Sequence, residues 1–210
     1  MSAYNTVIFD LDGTIIDSFP GIQHSFEVAY EKALSKPCSI DIKSLIGPPI
    51  GDIFKKVTQI EDAVMVNAFV QEFQMQYDTE GYKHSVIYEG YDEVFRYLMD
   101  MGMDLYIATY KRDLPTRLIL AEKDMEKYFQ GVYTVDMHGE RFPNKSAMVE
   151  ELLLKNGLNP DNCLFIGDTL HDCIASKENN IKFAFASFGY GSMEDAEIVL
   201  KKPLDLLKFI

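Results

Sequence analysis

The segment Val7-Ile8-Phe9-Asp10-Leu11-Asp12-Gly13-Thr14 constrains this chain more than any other stretch. A run of apolar, β-prone residues ends in two aspartates one residue apart, followed by Gly-Thr. A buried strand has no structural use for carboxylates at its tip, because burying an unpaired charge is strongly unfavourable. In open α/β sheets, however, the carboxyl ends of the strands are where ligands bind. Along an extended chain Asp10 and Asp12 project to the same side. The segment therefore predicts a strand inside a sheet whose end carries chemistry.

The rest of the sequence supplies the sheet. Strand-like runs at Val7–Asp10, Leu105–Thr109, Val132–Val135, Leu164–Gly167 and Phe183–Phe188 alternate with helical segments. The helices are expected at Asp92–Met101, Leu114–Lys127, Lys145–Asn156 and Asp172–Glu178. That alternation reads as an α/β fold with a Rossmann-like parallel sheet. In the Lys145 helix, Met148, Val149, Leu152 and Leu153 make one apolar stripe, and Asn156-Gly157 supplies a left-handed stop. Residues 17–85 break the rhythm. Ile22–Leu34 and Ala63–Tyr77 have helical periodicity, Gly47-Pro48-Pro49 separates them, and no convincing strand is present. The economical organisation is a core of residues 1–16 and 86–210 with a helical insertion, 17–85, after the first strand. Gly13 and Glu89-Gly90 then fall near its two hinges.

Composition excludes several function classes. A net charge of −13 over 210 residues opposes binding to a nucleic-acid polymer, which needs clustered Lys and Arg. No apolar run approaches the ~20 residues of a membrane span, and MSAYNT lacks a basic-then-apolar leader pattern. Cys38, Cys163 and Cys173 are scattered and odd in number, which predicts reduced structural thiols in a cytoplasmic protein.

Four pieces of sequence carry polar residues at the end of a strand or the start of the next helix. They are Asp10 with Asp12, Thr109 followed by Tyr110-Lys111, Lys145 after Phe142-Pro143-Asn144, and Gly167-Asp168-Thr169-Leu170-His171-Asp172. In this order they resemble the motifs of the haloacid dehalogenase-like hydrolases, and the resemblance spans nearly the whole chain. DxDGT after one apolar strand joined to GDxxxD after another is a specific combination. The resemblance implies that the helical insertion is a cap over the site. Asp17-Ser18, Ile46-Gly47-Pro48-Pro49 and Gly189-Tyr190-Gly191 are similar to the phosphoglycolate phosphatase branch. The Gly-Pro-Pro element and the lack of Pro after Lys145 also resemble relatives described as 5′-nucleotidases.

The chemistry implied is Mg²⁺-dependent hydrolysis of a small phosphorylated metabolite, phosphoglycolate-like or a nucleoside monophosphate. Phosphate monoesters hydrolyse extremely slowly unaided, and a carboxylate nucleophile splits the reaction into two easier steps. Asp10 is the expected nucleophile, passing through an aspartyl-phosphate. Mg²⁺ is expected on the carboxylates of Asp10 and Asp168 and the backbone carbonyl of Asp12, since hard cations take oxygen ligands. The Asp12 carboxyl is then available for proton transfer. Thr109 and Lys145 would hold phosphoryl oxygens, and Lys145 relieves repulsion among the aspartates. Gly13 lets the backbone approach the phosphate. Asp172 is expected to orient water or Lys145 rather than bind the metal.

One departure stands out: Tyr110 replaces the Asn that commonly follows the Thr. Gly13, Tyr110 and Lys111 are expected to bind substrate, Tyr110 by closing the pocket or stacking on the substrate and Lys111 as a surface or entrance residue within its reach. His138 and His171 are expected bystanders, because Mg²⁺ prefers oxygen. Met65, Met75, Met99, Met101 and Met103 read as core filler. Lys201, Lys202 and Asp205 read as a solvated face. Two rival functions use the same residues, a phosphosugar mutase and a non-catalytic phospho-ligand-binding protein; a dehalogenase fits the acidic residues least. Monomer and homodimer are both compatible with the sequence.

Overall fold

The computed structural model describes residues 4–46 and 48–210. Residues 1–3 and Gly47 of the Gly-Pro-Pro break lie outside the described residues. The chain divides into two compact units, one made of the N-terminal segment through Asp17 together with Val86–Ile210, the other of Ser18–Ser85.

The first unit is built on a six-stranded parallel sheet: β1 (Thr6–Phe9), β4 (Asp104–Thr109), β5 (Gly131–Thr134), β6 (Cys163–Gly167), β7 (Lys182–Ala186) and β8 (Ile198–Leu200). Their spatial order is β5-β4-β1-β6-β7-β8. Strand β1 lies between β4 and β6, with Phe9 opposite Ile107 on one side and Ile166 on the other. Because all three run parallel, their carboxyl ends open on one edge. That places Asp10, Thr109 and Asp168 at neighbouring strand ends.

The continuous apolar run of β1 follows from burial on both faces, as expected of a central parallel strand. Ile8 joins Met148, Val149 and Leu152 of α6 (Lys145–Asn156) and Ala175 of α7 (Leu170–Glu178). Phe9 points the other way, edge-on to Tyr91 and Phe95 of α4 (Tyr91–Asp100) at centroid distances of 6.0 and 5.7 Å. Each such fully buried side chain contributes about 1.5–3 kcal/mol. The strand that presents Asp10 is thereby clamped from both sides.

Several local expectations are corrected. The helix expected to reach Lys127 ends earlier, as α5 (Asp113–Glu122), because Asp124 adopts a left-handed conformation at φ 52°. A short antiparallel pair, β2 (Ile16–Asp17) and β3 (Val86–Ile87), joins the chain on either side of the second unit. Strand β8 and a 3₁₀ turn over Pro203–Lys208 occupy the C-terminal stretch. Asp205 is buried there, not solvated, and accepts a hydrogen bond from the Lys201 N–H at 3.0 Å. Of the five methionines expected as filler only Met103 is buried; Met65, Met75, Met99 and Met101 are exposed. Met125 and Met148 fill the core instead.

The second unit is helical: α1 (Phe19–Leu34), α2 (Ile50–Thr58) and α3 (Ala63–Thr79), with short 3₁₀ turns. The sequence reading missed α2, whose N-terminus follows Pro49. Its core gathers Phe26, Phe54, Phe69, Phe73 and Tyr77. Among the described residues no helix is long and apolar enough to cross a membrane.

Candidate active site

Asp10 follows the last residue of β1, and its N–H donates to the Ile166 carbonyl at 2.8 Å. Ladder geometry therefore continues one residue past the strand and fixes the Asp10 backbone beside β6. Its side chain is almost fully buried. Lys145, the first residue of α6, reaches Asp10 Oδ1 at 2.8 Å as an ion pair, outside good hydrogen-bond geometry. Buried as well, Lys145 also pairs with Asp172 Oδ1.

Asp172 is held by both oxygens. Thr169 caps α7, with its hydroxyl accepting from the Asp172 N–H, while Asp172 Oδ2 accepts from the Thr169 N–H at 2.9 Å and its hydroxyl at 2.6 Å. This reciprocal capping box satisfies donors at the helix start. Its other oxygen is left to aim the Lys145 ammonium.

Asp168 is fully buried between backbone segments. Its Oδ2 accepts from the Tyr190 N–H at 2.7 Å, and Thr14 Oγ1 donates to Oδ1 at 3.4 Å. Gly13, at φ 79°, packs so closely that a Cβ there would collide with the Asp168 carboxylate and come 2.8 Å from the Tyr190 ring. A Cβ on Gly189 would likewise meet the Gly13 carbonyl and the Asp168 side chain. Only glycine permits this backbone approach.

Carboxylate oxygens of Asp10, Asp168 and Asp172 all lie within 4.8 Å of one another. Burial raises the Asp10 carboxyl to about 8, against the opposing pull of Lys145 and with added repulsion from Asp172 and Asp168. Burial and Asp172 together raise Asp168 to about 6. For Lys145, burial disfavours the ammonium, but attraction to Asp10 and Asp172 outweighs it and the group is held above the usual lysine range. Three carboxylates against one ammonium leave a net negative, oxygen-lined cluster. Such a donor set fits a hard divalent cation such as Mg²⁺.

The other predicted residues are placed differently. The Asp12 carboxyl is outside this cluster and pairs with Lys111 through both oxygens, each at 3.1 Å. Lys111 is therefore not a surface residue; its side chain is only 8% exposed. Thr109 is buried at the end of β4, and its hydroxyl accepts from the Lys111 N–H at 3.3 Å. Tyr110 is partly exposed, with its hydroxyl donating to the Phe142 carbonyl at 2.9 Å and Arg141 over its ring. It ties the turn after β4 to the approach to α6. His138 is paired with Glu151, and neither it nor His171 belongs to the acidic cluster.

Sequence reasoning missed Thr14 and Tyr190 as partners of Asp168. The Gly189-Tyr190-Gly191 motif was visible, but its target, 22 residues earlier, was not. Thr169-x-x-Asp172 has the spacing of a capping box and was open to recognition.

Comparison with known proteins agrees with this architecture. A 5′-nucleotidase of Pseudomonas aeruginosa is 28% identical over 193 residues, 91% of this chain and 86% of that protein. The pyrophosphatase PpaX of Oceanobacillus iheyensis is 26% identical, covering 85% of this chain and 81% of its own length. A solved haloacid dehalogenase-like family hydrolase from Streptococcus pneumoniae superposes with a TM-score of 0.86, covering 100% of this chain and 99% of that one; at 24% identity it supports the fold alone. Residues 7–186, from the strand bearing Asp10 to the end of β7, match the family described as haloacid dehalogenase-like hydrolase, and the chain belongs to that family.

Proposed function

We infer that the protein is an Mg²⁺-dependent phosphatase that hydrolyses a small phosphomonoester through an aspartyl-phosphate on Asp10. The observation that carries this reading is the meeting of the Asp10, Asp168 and Asp172 carboxylates within 4.8 Å, with the Lys145 ammonium paired to Asp10 and Asp172. The similarity to a 5′-nucleotidase over most of the chain favours a nucleoside monophosphate, with a phosphoglycolate-like ester the second candidate.

In the first step the Asp10 carboxylate attacks phosphorus, and the bond to the leaving oxygen breaks as the new P–O bond forms. Asp12 gives that oxygen its proton. In the second step Asp12 takes a proton from water, which attacks phosphorus, breaks the bond to Asp10 and releases inorganic phosphate. One group serving as acid and then as base returns the site to its starting state. Lys145 supplies positive charge to the phosphoryl oxygens and restrains Asp10, while Asp172 keeps it aimed. Thr109 offers a hydroxyl at the adjacent strand end. Held by Asp10, Asp168 and the Asp12 carbonyl, Mg²⁺ would supply the charge neutralisation that lets one anion approach another. The helical unit is assigned the role of the cap, where substrate choice resides.

Purified protein with Mg²⁺ should release phosphate from p-nitrophenyl phosphate and from a panel of nucleoside monophosphates and small acid phosphates. Asp10→Asn should lower that release by roughly a thousandfold or more. Wild-type activity surviving in Asp10→Asn would end the proposal.

A further inference from the structure

Lys111 is a buried cation that the mechanism above does not employ. Its ammonium lies 3.1 Å from both oxygens of Asp12, and among the described residues the Asp12 carboxylate has no other hydrogen bond or ion pair. The two positions are 99 residues apart in sequence. They meet because β1 and β4 are parallel neighbours whose ends open on the same edge. The turn closed by the Lys111 N–H on Thr109 Oγ1 then bends the chain beyond β4. A Thr hydroxyl accepting from the backbone two residues on is a local turn device, so the end of β4 itself delivers Lys111.

A lysine has a long flexible stem and a compact charge, so its position is set by what it pairs with. Here the pairing is symmetric across the carboxylate, which fixes both the location and the plane of the Asp12 carboxyl. Proton transfer requires the carrier within hydrogen-bond reach of the reacting oxygen, and small misplacements are costly.

We propose that Lys111 is a positioning residue that holds the Asp12 carboxyl in place for proton transfer to and from the reacting oxygens. The proposal rests on the phosphatase reading, in which Asp12 is the proton carrier. It has a consequence for which esters feel the loss of Lys111. An alkyl ester, such as a nucleoside or glycolate phosphate, expels a poor leaving group and depends on the delivered proton. A p-nitrophenyl ester expels a stable anion and needs that proton little. A lysine serving only the fold would affect both ester types alike. One gripping the phosphoryl group would raise KM for both.

The test compares Lys111→Met, Lys111→Arg, Asp12→Asn and the Lys111→Met/Asp12→Asn double variant with wild type. Each is assayed with Mg²⁺ on a series of aryl and alkyl phosphates. Lys111→Met should lower kcat/KM on alkyl esters about 10- to 100-fold more than on p-nitrophenyl phosphate. Lys111→Arg, which restores a cation facing the carboxylate, should recover most of the alkyl activity. In the Asp12→Asn background, Lys111→Met should add less than about threefold, because residues acting as a unit are not additive. Equal losses across the series, or full additivity in the double variant, would overturn the proposal. Thermal unfolding checks that each variant folds; if Lys111→Met does not, Lys111→Gln takes its place, and an equal loss on alkyl and p-nitrophenyl esters would overturn the proposal. Inactivity of the wild type on every ester sinks the phosphatase reading and this inference together. An active wild type with a flat Lys111→Met response sinks this inference alone.

Discussion

In the helical unit, Ser18–Ser85, Phe54 and Phe69 stack at 4.1 Å with Phe26 edge-on, and among the described residues no charged side chain is buried. In the α/β unit the carboxyl edge of the sheet buries Asp10, Asp168, Asp172 and Lys145 together. The first interior is held by the ordinary burial of apolar surface. The second combines such a core with a cluster of charges whose hydration has been given up. Stability and chemistry are thus separable here by region, and mutation should tell the two interiors apart.

The widest gap should come from Phe69→Ala. Truncating a fully buried ring in an aromatic stack leaves a cavity, and unfolding in urea should report a loss of about 3–5 kcal/mol. A loss under about 1 kcal/mol would break the contrast, since the helical interior would then not depend on packing. Asp168→Asn should act with the opposite sign. Burial, with the neighbouring Asp172 carboxylate, pushes the Asp168 carboxyl up to about 6 from 3.8 for the ordinary group. An acid raised on folding contributes stability that is present below its unfolded value and lost as pH rises through the folded one. Without metal at pH 7.5, Asp168→Asn should therefore be more stable than wild type by about 1–3 kcal/mol. The excess should vanish at acid pH. A variant less stable than wild type at pH 7.5 would show that the carboxylate earns its place structurally.

A separate effect concerns the cation. If Mg²⁺ binds as proposed, it displaces protons that burial leaves on Asp10 up to about pH 8 and on Asp168 up to about pH 6. Calorimetric titration should show affinity falling about tenfold for each proton displaced per pH unit below these values. Affinity unchanged between pH 7.5 and 5 would remove these carboxylates from the binding site.

The same contrast explains what the sequence disclosed. The residues the structure gathers at the sheet edge could all be named in advance, but on two grounds. Asp10 and Asp168 are charged residues at the tips of apolar runs, whereas Lys145 and Asp172, at the starts of helices, were marked only by their order and spacing among the motifs. The parallel sheet was legible for a related reason: β1, β4 and β6 are buried on both faces and read as unbroken apolar runs. Elements too short to show a period were not legible. Strands β2 and β3 have two residues each, and β8 has three. Contacts across long separations were also hidden. Nothing local in Lys111 announces Asp12, and nothing in Tyr190 announces Asp168. The exposed methionines misled because polarity alone does not say which way a helix turns its face.

The packing around Asp168 limits how this centre can be altered. Gly13 and Gly189 bring backbone against the carboxylate where not even a methyl group fits. On the side of Gly13 and Gly189 the enclosure is therefore main chain and cannot be reshaped by exchanging side chains, unlike the side where Thr14 and Asp172 face the carboxylate. Under the proposed reading, adapting the site to an ion of different radius would require moving the loops that carry Gly13 and Gly189 or replacing the aspartate itself, which would make ion preference slow to evolve.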